Sequence, residues 1–280
     1  MSTVLYTKDD LLRLAQGFSG APRILAQLTQ LIRDHRMGLA DAADLLKRDA
    51  ALAGRIIRIA NSAAMARDEP VASVEAASQL IGLQEIHRIV GIMAIDQVGP
   101  ETMPAYGLSK KQVRENSILV ALLMEEFAKV ADEDPPTAYA VGLLRPLGIM
   151  ALDQFVSDSH GSEKFDQAVH PDLGVWEQNT FGMTSAQATA TILDSWHFPG
   201  EIPRAIRDHR SPTGKHLPFI HLLHISCRIA DRLGYGLLCE SSFWSDTEEL
   251  WRKAGLDPAN TQLQVQRAFI SFDRLCRAMA

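Results

Sequence analysis

The chain has 280 residues, 46% of them hydrophobic and 22% charged, with a net charge of −6. That length suits one large domain or two closely packed helical halves, and the acidic balance, without any lysine- or arginine-rich run, disfavours nucleic acid as a direct partner. Three dispersed cysteines (Cys227, Cys239, Cys276) exclude a disulfide framework; with no leader pattern and no window near the roughly 20 apolar residues of a membrane span, a cytoplasmic protein without membrane insertion is expected.

Apolar residues recur at helical spacing along the whole chain, and no stretch alternates β-branched with polar residues. Leu25, Leu28 and Ile32 share one face, as do Ala53, Ile56, Ile57 and Ala60. The periodicity predicts an all-α fold with helices at 7–16, 22–35, 39–47, 50–62, 73–82, 84–97, 110–130, 136–144, 147–156, 163–168, 171–180, 185–196, 201–209, 217–235, 246–254 and 258–278. Three capping boxes support starts near 110, 185 and 246: Ser109 with Gln112, Thr184 with Gln187, and Ser245 with Glu248. The Pro- and Gly-rich stretch 98–109 is the expected seam between two helical bundles. No internal repeat or low-complexity segment is visible.

Three groups of motifs carry a resemblance. One runs from Leu45-Leu46-Lys47-Arg48-Asp49 through Arg55-Ile56-Ile57-Arg58-Ile59-Ala60-Asn61-Ser62-Ala63. A second is Val71-Ala72-Ser73-Val74-Glu75-Ala76-Ala77, leading to Leu80-Ile81-Gly82-Leu83. The third joins Phe181-Gly182-Met183-Thr184 to Leu193-Asp194-Ser195-Trp196-His197-Phe198-Pro199 and Ala205-Ile206-Arg207-Asp208-His209. In this order, from about Phe18 to Asp231, the chain resembles the HDOD domain, the HD-related output domain of bacterial signalling proteins. The resemblance implies an N-terminal helical bundle packed on a degenerate HD-like bundle. It divides the chain into an N-terminal helix (1–17), an HDOD domain (18–231, with halves 18–97 and 110–231) and a C-terminal helical extension (232–280). Among the signature residues, Asn61 and Ser62 read as a helix terminus whose short polar side chains bond nearby backbone, with ligand binding as the alternative. Trp196, Phe198 and Pro199 read as a helix end pinned by aromatic burial.

HD enzymes are metal-dependent phosphohydrolases whose histidines and aspartates hold the cations. Carried onto this sequence, the ligand positions fall on Asn116, Arg145-Pro146 in place of the His-Asp pair, Ser185, His209 and Asp231. An amide oxygen is a poor ligand for a transition metal. Arginine has no lone pair to give and brings a fixed positive charge, and proline has no side-chain donor. Pro146 is tolerable only where one helix ends and another begins. Arg228 and Arg232 flank Asp231, which reads as a salt-bridged carboxylate. Only His209 and Asp231 remain usable, so no metal and no cofactor is expected; a rebuilt site from His209, His224 and Asp231 is the alternative. His221 shares the helix with His224.

The expected function is therefore a non-catalytic signalling protein, acting through contact with unidentified signalling proteins in processes such as motility, virulence, biofilm formation or cyclic-di-nucleotide signalling. Without a sensor or cyclase segment in 280 residues, it reads as a stand-alone adaptor. Two alternatives stay open: a nucleotide sensor binding anions in the vestigial cleft through Arg145, Arg207 and Arg210, and a phosphohydrolase with the rebuilt site. Cys227 and Cys239 read as buried small hydrophobes. The C-terminal aromatic segment either packs back on the HD-like half or forms a docking or homodimer surface.

Overall fold

Each apolar stripe of the sequence must find a facing stripe, and the computed structural model shows how. It describes residues 6–18, 20–34, 38–61, 70–158, 164–212 and 219–278. Six helices come first: α1 (Lys8–Gln16), α2 (Ala21–Arg33), α3 (Leu39–Leu46), α4 (Ala50–Ala60), α5 (Val74–Ile81) and α6 (Leu83–Val98). A small antiparallel hairpin follows, β1 (Thr102–Met103) and β2 (Leu108–Ser109). The second half holds α7 (Lys110–Val130), α8 (Pro135–Leu144), α9 (Leu147–Asp158), α10 (Leu173–Phe181), α11 (Ser185–Ser195), α12 (Glu201–Asp208) and α13 (Ile220–Arg232). A 3-10 helix over Leu238–Phe243, then α14 (Glu248–Lys253) and α15 (Gln262–Ala278) complete the chain.

The all-α expectation holds, and the departures from it have local causes. The seam turns back on itself at Gly107, whose φ of 65° suits glycine, and so pairs two short strands. The described part of the expected helix 163–168 is not helical, because the Asp166 side chain accepts the Ala168 N–H at 2.9 Å and holds a turn. The capping boxes at Ser109 and Thr184 form. The third does not: Thr247 caps α14, while Ser245 is drawn to His224. The expected helix 258–278 divides at Thr261 into a 3-10 turn, begun by Pro258, and α15. No helix among the described residues is long and apolar enough to cross a membrane.

One hydrophobic core runs from Leu11 to Leu275. Helix α7 lies at its centre, with Leu119, Val120, Leu123 and Phe127 fully buried, and packs against α8, α13 and α15. The N-terminal helices join this half through α6. Arg88 on α6 donates to both carboxylate oxygens of the buried Glu125 on α7, at 2.9 and 2.7 Å, and Tyr139 of α8 donates to the Arg88 carbonyl at 3.1 Å. At the other end, Gln30 and Arg33 of α2 reach His197 and Glu201. Between these contacts α2 and α6 bury their apolar faces against α8.

The signature residues serve this architecture. Asn61 ends α4, and its amide donates to the Val71 carbonyl and accepts the Val71 N–H, both at 2.8 Å. Ser62 lies outside the described residues. Trp196 and Phe198 are buried at the end of α11, where Trp196 meets the Phe18 ring edge-on; Pro199 is half-buried.

Helices α7 and α8 touch backbone to backbone at Gly142. A Cβ on Gly142 of α8 would stand 2.7 Å from the Ala121 Cα of α7, backbone that cannot step aside. Alanine gains about 1 kcal/mol over glycine in helix propensity, but an overpacked backbone contact costs about 1–3 kcal/mol or more. Gly142→Ala is expected to lower the thermal midpoint, whereas Gly54→Ala on α4, where the nearest atom is 3.9 Å away, should raise it. Melting curves of the two variants check both signs.

Candidate functional site

Of the positions that the resemblance matches to HD metal ligands, Asn116, Arg145-Pro146, Ser185 and His209 gather at one end of α7, where α8 gives way to α9. α8 stops at Leu144 and α9 starts at Leu147, leaving Arg145-Pro146 at the junction, where a missing N–H costs nothing. The junction presses on α11: the Gly148 N–H donates to Thr189 Oγ1 at 2.8 Å, and that hydroxyl lies 3.0 Å from the Arg145 carbonyl. A Cβ at Gly148 would collide with the Ser185 carbonyl oxygen. This close approach turns the Arg145 side chain inward, where it is 3% exposed.

A buried charge network fills the space. Arg145 donates to Asn116 Oδ1 at 2.5 Å and pairs with the carboxylate of Glu240. Arg210 donates to the other Glu240 oxygen at 2.8 Å, to Glu177 at 2.9 Å and to the Ser185 hydroxyl at 2.8 Å. Glu177 also accepts the Ser185 N–H at 2.9 Å and the Tyr106 hydroxyl, carried in by the hairpin, at 3.2 Å. The Asn116 amide donates to the Tyr235 carbonyl at 2.7 Å. Two guanidiniums thus face two carboxylates, so the network is neutral as a whole.

Aromatic rings close it. Arg145 lies 6.0 Å from the Trp244 ring centroid and Arg210 4.7 Å from that of Phe243. Trp244 also contacts His209 and His224. Each imidazole donates from Nδ1 to a carbonyl, His209 to Ile206 at 2.6 Å and His224 to His209 at 2.9 Å; His224 Nε2 accepts the Ser245 N–H at 3.2 Å.

Burial and neighbouring charge set the ionisation. Burial alone would raise the Glu240 pKa, but Arg145 and Arg210 outweigh it and hold it at about 2. Burial, then the same two arginines, push His209 well below its ordinary value, so it is neutral. Burial drives Cys227 up to about 12 and Cys239 upward as well, and both thiols are buried.

The sequence-derived site residues therefore divide. Asn116, Arg145 and Ser185 enter the network, Pro146 forms its junction, and His209 lies beside it under Trp244. Asp231 does not join: it is partly exposed and pairs with Arg228 at 3.5 Å. Of the three arginines considered for anions, Arg145 and Arg210 are inside, whereas Arg207 is half-exposed and paired with Asp208. His221 is buried on α13. Among the described residues no group of three or more His, Cys, Asp or Glu side chains is gathered as a metal site. The donor chemistry agrees: the Asn116 oxygen and both carboxylates are taken by guanidinium N–H groups, so these residues do not fit a divalent cation.

Sequence reasoning missed Glu177, Glu240, Tyr106 and Trp244. Glu177 left a signal, since it interrupts the stripe Leu173, Trp176, Phe181 on the buried face of α10, and a carboxylate there needs a buried partner. Glu240 left a weaker one, as the lone carboxylate in the apolar run Leu237 to Trp244.

The network predicts how stability responds to mutation and acid. Removing one partner of a buried ion pair costs about 3–5 kcal/mol, so Glu240→Ala should lose that much in urea unfolding. Glu240 has a depressed pKa, so its contribution is complete above the ordinary carboxylate range and declines as pH falls from 4.5 toward about 2. Wild type should therefore lose more stability between pH 5 and pH 3 than Glu240→Gln, measured by the same unfolding curves.

The profile of the HDOD domain family matches residues 20–212. No functionally curated protein matches the chain. Among solved structures, a provisionally named signal transduction protein from Marinobacter aquaeolei superposes with a TM-score of 0.72 at 21% identity, covering 99% of this chain and 67% of its own. A provisionally named phosphohydrolase from Shewanella amazonensis gives 0.61 at 20% identity, covering 92% and 96%. An HDOD domain protein of unknown function from Geobacter sulfurreducens gives 0.62 at 16%, covering 96% of each. At these identities the likeness is one of fold.

Proposed function

The chain belongs to the HDOD family of signalling-related domains, and we propose that it is a non-catalytic regulator that works by presenting its helical surface to another signalling protein. The observation that carries this reading is the neutral Arg145–Glu240–Arg210–Glu177 network built around Arg145, which stands at a matched metal-ligand position. Phosphoester hydrolysis in the HD manner needs cations that activate water and neutralise phosphate charge; here the oxygens that would hold them accept from guanidinium groups instead. Solved relatives carry both kinds of provisional name, signal transduction protein and phosphohydrolase, so the residues of this chain, and not its fold, favour the first. The partners are taken to be cytoplasmic signalling proteins, with neither nucleic acid nor membrane as the direct target.

Elemental analysis tests the non-catalytic part. Protein purified without chelator should carry less than about a tenth of an equivalent of any transition metal, and added Mn²⁺ or Zn²⁺ should leave its melting temperature unchanged, since a cation bound only by the folded state would raise it. Near-stoichiometric metal with phosphodiesterase activity would overturn the reading. The partner-binding part is tested by co-elution: a defined signalling protein from the same cell should form a stoichiometric complex with the purified chain.

A further inference from the structure

Three of the four charges in the buried network, Arg145, Glu177 and Arg210, lie within the family match over residues 20–212; Glu240 lies outside it. Glu240 arrives on the 3-10 helix after α13, held in place by the buried Leu237, Cys239 and Trp244 on either side. Its contribution is specific. Among the described residues Arg145 has no other carboxylate, only the neutral Asn116 oxygen, whereas Arg210 keeps Glu177. Without Glu240 the cleft would hold two guanidiniums and one carboxylate, a net positive charge in a pocket with almost no solvent contact. The two arginines approach different oxygens of the one carboxylate, Arg145 on Oε2 and Arg210 on Oε1. This clamp on a planar two-oxygen group is how guanidiniums recognise carboxylates. The site also retains unused polar capacity: among the described residues Arg145 Nε, Arg210 Nε and His209 Nε2 are buried without hydrogen-bond partners. In the His209 tautomer set by Ile206, Nε2 is a lone-pair acceptor.

We propose that the degenerate metal cleft is a carboxylate-binding site and that Glu240 is its tethered ligand. The segment from Leu237 to Trp244 is then a plug: it places an acidic side chain between Arg145 and Arg210, covers them with Trp244 and Phe243, and excludes a carboxylate from outside. The assignment stands apart from the partner-binding reading, because the test involves no partner.

The test is chemical rescue in the full chain. Glu240→Ala should melt roughly 10 °C below wild type. Formate at about 100 mM should recover several degrees of that loss relative to chloride at equal ionic strength, because an anion bound by the folded state alone stabilises it. Wild type should show no difference between the two salts, its site being filled. The double variant Arg145→Met with Glu240→Ala should lose the rescue. A capped Ser-Glu-Ser peptide distinguishes the source: rescue by the peptide as well as formate marks a site open to acidic side chains, and rescue by formate alone marks a site for small free acids. Should Glu240→Ala fail to fold in chloride, the same comparison is read as recovery of its helical circular dichroism by formate. The proposal is overturned if formate does no better than chloride, if inorganic phosphate does better than formate, or if wild type gains as much as the variant.

Discussion

The pairing of Arg145 with Glu240 joins the α8–α9 junction to the 3-10 helix that follows α13, and much of the second half is arranged around it. A guanidinium that is 3% exposed must have its charge met nearby. The meeting requires α8 to end at the right residue, the 3-10 helix to lie across the cleft, and Asn116 to point inward from α7. Arg210 and Glu177 extend the arrangement to α10 and α11, and Tyr106 brings in the hairpin. A pair of this kind is weak evidence for extra stability, since desolvation offsets most of its Coulombic attraction. What it does impose is a strong penalty on breaking it, since either partner alone would be a buried charge without a counter-charge.

In an HD enzyme the same location asks for a cation surrounded by lone pairs. Here the cation is covalent, carried by the chain at Arg145, and its neighbours are an amide oxygen and a carboxylate. By the resemblance, Asn116 stands where HD enzymes carry a histidine and keeps an acceptor, Arg145-Pro146 stand where they carry the His-Asp pair and bring a positive charge without a ligand, and Glu240 lies beyond the family match. The side chains gathered at this junction are held together by charge-assisted hydrogen bonds.

The sequence made the helices legible because their stripes are strong and their caps local. Helix α7 spans the residues its periodicity predicts, and the boxes at Ser109 and Thr184 form as spaced. Where long-range contacts decide, local signals mislead: Ser245 has the spacing of a cap, but His224, 21 residues away, captures it. The matched ligand positions were legible through family resemblance, and Arg145 announced itself as a charge in a cleft. Its counter-charge was not, because pairing across 95 residues has no periodicity to betray it. Asp231 illustrates the converse. It survives as a residue type, yet it faces partly to solvent beside Arg228, so identity at a matched position says little without the direction of the side chain.

The hairpin at the seam carries a lesson for dividing this protein. By composition, residues 98–109 look like a linker, the natural place to cut the chain into two independently folding pieces. In three dimensions the tip of that stretch is an insert. The Ala105 N–H donates to the buried Asp153 at 2.8 Å, and Tyr106 stacks against Phe181 while its hydroxyl reaches Glu177. Severing the chain there would loosen the Ala105 N–H from Asp153 and the Tyr106 hydroxyl from Glu177, and open the aromatic cluster of Trp176 and Phe181 to water. The two halves are legible as bundles, but they are not modules: the stretch that looks most dispensable is part of the interior.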